Sequence, residues 1–79
     1  MARGVVGNAA MKTPIKRTVI TPTYIQLSST RRWASIVKMD YGWIVDVMEY
    51  RGQAIVVVWK SAEGYETLAE AERKARKHL

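Results

Sequence analysis

The sequence predicts an α+β domain: an antiparallel β-meander of three to five strands with one C-terminal α-helix packed on one face. Three observations carry this. Residues 18–60 hold short runs rich in β-branched and aromatic side chains, separated by Pro, Gly and Asp. Thr67-Leu68-Ala69-Glu70 matches a capping box and opens a helix. The 79 residues suffice for one domain and no more.

Residues 1–14 contain Gly4, Gly7, Asn8 and Pro14 and show no apolar period. They read as a flexible basic N-terminal arm preceding a single domain over 15–79. Such an arm either tracks a nucleic-acid backbone or is a terminus without a role. Residues 18–21 and 23–28 are β-prone stretches divided by Pro22, which has no N–H for a ladder and belongs at a sheet edge. Residues 33–39 form a clearer strand. Asp40-Tyr41-Gly42 then reads as a three-residue hairpin loop with glycine at the left-handed position. Residues 43–50 make the next strand, Arg51-Gly52 a two-residue turn, and residues 53–60 the return.

These loops set an expected register: Met39 with Trp43, Val37 with Val45, Tyr50 with Gln53, and Val47 with Val56. One face then carries Trp33, Val37, Met39, Trp43, Val45, Val47, Val56 and Val58, nearly all apolar, and must be buried. The other carries Arg32, Ala34, Ile36, Lys38, Ile44, Asp46, Met48, Tyr50, Ile55, Val57 and Trp59. The helix runs from 68 to about 78 with an apolar stripe of Leu68, Ala71, Ala75 and Leu79, whose alanines allow close approach to the valine face. One helix covers one face, so Ile44, Met48, Ile55, Val57 and Trp59 need another cover. The first expectation is the N-terminal segment folding back with Ile15, Val19, Ile20, Ile25 or Leu27; a homodimer and a functional partner are the others.

Catalysis is not expected. Cysteine is absent, so there is no thiol nucleophile and no disulfide, and His78 is the sole histidine, which makes a zinc site improbable. Asp46 and Glu49 lie three apart on a strand, hence on opposite faces, and do not form a carboxylate pair. Neither they nor Asp40 have metal-loop spacing, and no phosphate-loop or dinucleotide glycine pattern occurs. No cofactor is expected. No apolar run approaches the roughly 20 residues of a membrane span, and no signal peptide is legible, so the expected compartment is the cytoplasm.

Charge points to partners. The net charge is +6, but it is segregated: +7 over residues 1–39, −5 over 40–72 and +4 over 73–79. That pattern suits a polyanion, nucleic acid first, with double-stranded DNA held by its phosphates as the expected ligand. The candidate contacts are Lys16, Arg17, Arg31, Arg32, Lys38, Tyr50, Arg51, Arg73, Lys74, Arg76 and Lys77. Several have a plainer explanation too, Tyr50 as a core residue among them. Arg32 and Lys38 also suit snorkelling over core aromatics. The helix-end cations also complement the helix dipole, with Glu70–Lys74 and Glu72–Arg76 as i,i+4 pairs. Asp46 would repel a phosphate lying squarely on the mixed face. The alternative is a protein–protein module, such as a phage-type inhibitor or adaptor, binding a larger protein through Ile44, Met48, Ile55, Val57 and Trp59. A basic component of a nucleoprotein assembly would combine both.

The stretch Trp43-x-Val45-x-Val47, Arg51-Gly52, a strand ending in Trp59, and Tyr65-x-Thr67-x-x-Glu70-Ala71-x-x-Lys74-Ala75 resembles the arm-type DNA-binding domains of phage integrases and the related AP2-like domains. The resemblance spans residues 43–75. It implies a three-stranded sheet plus helix whose strand side chains read a DNA groove, with Arg32, Lys38, Tyr50 and Arg51 as contacts. The acid-rich middle and the long 61–66 loop depart from the family pattern.

Overall fold

The computed structural model describes residues 14–79. The strands are β1 (Lys16–Thr21), β2 (Tyr24–Ser28), β3 (Arg32–Met39), β4 (Gly42–Arg51) and β5 (Ala54–Lys60), followed by α1 (Leu68–Arg76). They form one antiparallel sheet in the order β1-β2-β3-β4-β5, so every neighbour in sequence is a neighbour in space. Pro22 sits in the β1–β2 turn, beside an edge strand where its missing N–H leaves no gap in a ladder. The basic arm expected over 1–14 lies outside the described residues apart from Pro14.

Among the described residues the N-terminal segment does not fold back over the mixed face. β1 and β2 extend the sheet sideways from β3, with Ile25 opposite Ile36 and Leu27 opposite Ala34. Ile25 and Leu27 are thereby buried in the main core, while Val19 and Ile20 stay exposed on the edge.

The first hairpin is tighter than its glycine suggested. Gly42 is the first residue of β4, paired with Met39, and only Asp40 and Tyr41 turn the chain. The register therefore runs Val37–Ile44, Ile36–Val45 and Ala34–Val47, one residue from expectation. In a strand a one-residue slip exchanges the faces. Ala34 and Ile36 become core, and Trp33 and Val37 move to the opposite face. Gly42 is needed for a different reason than a loop: its φ is +125°, and a Cβ there would lie 2.7 Å from the Tyr65 carbonyl oxygen. Gly64 in turn lies against the Tyr41 carbonyl, and Trp43 and Tyr65 exchange two backbone hydrogen bonds of 2.8 Å each. The second hairpin turns at Gly52 (φ +64°) and Gln53, pairing Arg51 with Ala54 and Tyr50 with Ile55. That is two residues from the expected register, which preserves the faces. A bulge at Val58 then makes Trp59 partner Val47, turning Trp59 onto the core side.

The core face consists of Ile25, Leu27, Ala34, Ile36, Val45 and Val47, joined by Ala71 and Ala75 of α1. Each fully buried branched side chain contributes about 1.5–3 kcal/mol by leaving water. Trp43, Val58, Trp59, Tyr65, Leu68 and Leu79 pack around this cluster. The Thr67 hydroxyl accepts the Glu70 N–H at 3.1 Å, the N-terminal cap read from the sequence. At the other end α1 stops at Arg76, with Lys77 as C-cap. The His78 ring stacks on Trp59 at 4.1 Å, and the His78 carbonyl accepts from Arg32 Nη1 at 2.8 Å.

Candidate nucleic-acid interface

A meander sends alternate turns to opposite ends of the sheet, and here the ends differ in charge. One end gathers the start of β1, the β2–β3 turn, the β4–β5 turn and the C-terminus of α1. It holds Lys16, Arg17, Arg31, Arg32, Arg51, Arg73, Arg76 and Lys77 against the carboxylates Glu49 and Glu72. The other end holds Asp40, Glu63, Glu66 and Glu70 against Lys38 and Lys60. The two basic stretches of the sequence are thus brought together, with Lys38 carried to the acidic end and Lys74 left between.

Several cations at the basic end are already engaged. Arg17 makes a two-pronged pair with Glu72 through Nε (2.8 Å) and Nη2 (2.9 Å), and Arg76 approaches the same carboxylate at 3.8 Å. Arg32 and Arg51 each donate Nε–H to Glu49 at 2.7 Å. Those two hydrogen bonds, Arg51 first and then Arg32, hold the Glu49 carboxyl down to about 2 from an ordinary 4.5. Arg32 was expected opposite Tyr50 on the mixed face; it lies opposite Glu49 and faces the helix end. Lys38 was expected opposite Ile44; it lies opposite Trp43. Lys16, Arg31, Arg73, Lys74 and Lys77 have no ion pair within 4.0 Å among the described residues.

The face opposite the core is ordered in rows across the strands. The five-strand row nearest the basic end runs Lys16, Ser28, Trp33, Met48, Val57; the next runs Thr18, Gln26, Ser35, Asp46, Lys60. The third runs Thr21, Tyr24, Val37, Ile44. Beyond the first row Tyr50, opposite Ile55, lays its ring on Trp33 with centroids 4.7 Å apart and planes inclined by 33°. Tyr50 remains 56% exposed. Its backbone N–H donates to the Arg31 carbonyl at 3.1 Å, which fixes the β2–β3 turn beside it. Gln26, Ser28, Ser29, Arg32, Trp33 and Tyr50 enclose an open concavity of ≈ 320 Å³. A larger hollow of ≈ 460 Å³ lies at the acidic end among Trp59, Glu63, Glu66, Glu70 and Lys74, where carboxylates disfavour an anion.

No protein-family model, curated protein or solved structure matches the chain. The chemistry of the site must therefore be read from its geometry. Among the described residues no group of three or more His, Asp or Glu is placed to hold a metal ion, and no helix is long and apolar enough to cross a membrane.

Of the residues expected to form a protein interface, Ile44, Met48, Ile55 and Val57 share the face opposite the core, and Ile55 and Val57 are exposed. Trp59 does not join them, because the Val58 bulge turns it to His78. At the centre of the same face, Oδ1 of Asp46 is buried without a hydrogen-bond partner. Sequence reasoning missed Trp33 and its polar neighbours Gln26, Ser28 and Ser29. The signal for Trp33 was available in the hairpin: a two-residue Asp40-Tyr41 turn puts Trp33 and Tyr50 on one face.

Proposed function

We propose that this is a non-catalytic nucleic-acid-binding protein whose basic end contacts backbone phosphates. The observation that carries the reading is the concentration of cations at one end of the sheet, with Lys16 and Arg31 making no ion pair among the described residues beside a polar, aromatic concavity. In this reading α1 lies across the core face and leaves the opposite face for contact. Phosphate neutralisation releases counterions, so affinity falls with salt at a slope of about 0.9 per contact on a duplex. Labelled random-sequence duplex DNA, titrated at low and at moderate salt, isolates this contribution because its base faces are hidden. Binding with a steep salt dependence is expected; no binding at the lowest salt overturns the proposal.

A second reading rests on the β4–β5 side of the same face. Met48, Ile55 and Val57 adjoin there, with Ile44 beyond the Asp46 row, and the orphaned Asp46 oxygen asks for a donor that a protein partner would bring. The arm-type and AP2-like resemblance supports the first reading less than the charge layout does. Of its four implied groove contacts only Tyr50 lies on the face opposite the core.

A further inference from the structure

We infer that the Trp33–Tyr50 pair is a stacking platform for an unpaired base, so that the preferred ligand is single-stranded nucleic acid. This deepens the phosphate-contact reading above and rests on it.

The two rings play different parts. Trp33 sits within the sheet between Ser28 and Met48, where flanking strands hold it. Tyr50 lies near the end of β4, and its ring is backed by Trp33 at 4.7 Å. Trp33 lies against one side of the Tyr50 ring with the planes inclined by 33°, and Tyr50 as a residue is 56% exposed, so its other side can receive a third ring. A tyrosine held in place before the ligand arrives loses little rotamer freedom on binding, which is the condition for exposed aromatic contact to yield affinity. A base inside a duplex already has both faces covered by its neighbours. Only an unpaired base can take the place offered, and sheets that bind single strands use exposed aromatic rings this way.

The surroundings fit a nucleotide rather than a bare aromatic ligand. Lys16 lies in the same row as Trp33, two strands away, about 10 Å at ordinary strand spacing. Arg31 stands in the turn hydrogen-bonded to Tyr50. Two cations without an ion pair among the described residues thus stand on the β1–β3 side of the pair, where they can meet phosphates of a strand whose base stacks on Tyr50, while Ile55 and Val57 lie on the β5 side. Gln26, Ser28 and Ser29 line the intervening concavity with amide and hydroxyl groups able to meet a base edge or a sugar. Arg32 and Arg51 do not supply this charge, since both are held by Glu49.

The test compares an oligo-thymidine of about 12 nucleotides, within the usual span of single-strand sites, with a random duplex of the same length. Each is titrated at low salt by fluorescence anisotropy against the wild-type chain, Tyr50→Ala and Tyr50→Phe. The proposal expects the single strand to bind more tightly than the duplex. Tyr50→Ala should weaken the single strand roughly ten-fold, the usual range for losing one stacked base, and weaken the duplex by clearly less. Tyr50→Phe should bind like the wild type, because the ring and not the hydroxyl carries the contact. Equal affinity for both ligands, with Tyr50→Ala like the wild type on each, overturns the stacking proposal and leaves the phosphate reading standing. A loss on both ligands alike overturns it too, as would a failure of Tyr50→Phe. No binding of either ligand brings down both readings. Tyr50 is exposed at a strand end, so circular dichroism should show all three proteins equally folded.

Discussion

At the scale of single residues, the count of basic side chains overstates the charge on offer. Arg17 and Arg32 donate to Glu72 and Glu49 and so join β1 to α1 and β3 to β4, while Arg51 donates to Glu49 within β4 and Arg76 lies 3.8 Å from Glu72 within α1. Glu49 is the centre of this arrangement. Its side chain is 13% exposed and its pKa is lowered from 4.5 to about 2. A carboxyl whose folded pKa is depressed contributes stability that is present above the unfolded value and lost as pH falls towards the folded one. The wild-type protein should therefore lose stability between pH 4.5 and about 2 in part through this group. Urea melts at stepped pH should show a shallower decline for Glu49→Gln over that window, together with lower stability at neutral pH. Parallel curves for the two proteins would remove Glu49 from the account.

At the scale of elements, the strands, their order of appearance and the capped helix were legible because each depends on local chemistry. β-branched runs, turn residues and the Thr67–Glu70 cap act within a few positions. Facing was less legible, because it depends on where one residue is inserted. Gly42 looked like a loop residue, yet its positive φ serves the close passage of the 64–65 segment, a contact far along the chain. The Val58 bulge left no local mark either, since five consecutive apolar residues from Ile55 to Trp59 show no break in period. Those two positions decide that Trp33 faces away from the core and Trp59 towards it. The Gly42–Gly64 crossing also yields an expected outcome. In Gly64→Ala the new methyl meets the Tyr41 carbonyl, which is backbone and cannot step aside cheaply. A cost of about 1–3 kcal/mol is expected, as for other overpacked sites. Each kcal/mol lowers the melting temperature of a domain this size by about 4–8 °C, so a thermal melt resolves it. An unchanged melting temperature would mean the crossing can open freely.

At the scale of the whole molecule, charge position should matter more than net charge. Arg31 and Lys38 are both exposed, and neither has an ion pair among the described residues, but they occupy opposite ends of the sheet. Arg31→Glu and Lys38→Glu change the net charge equally. Arg31→Glu should reduce the salt slope of DNA binding by about 1, as expected for one lost phosphate contact, with a matching fall in affinity. Lys38→Glu should leave the slope unchanged. Equal effects of the two would mean that the protein attracts polyanions through its overall charge and has no oriented binding end.

The two bulges bear on how such a protein behaves in numbers. Both fall on the outermost strands, at Ile20 in β1 and at Val58 in β5. A polyanion gathers many copies at high local density, the setting in which bare sheet edges join copy to copy. The bulges leave regular pairing geometry only over residues 16–19 and 54–57, shorter than the segments of about six or seven residues that assemble into fibrils. If the protein binds a polyanion as proposed, the same bulge that turns Trp59 to the core would help to keep neighbouring copies from pairing edge to edge.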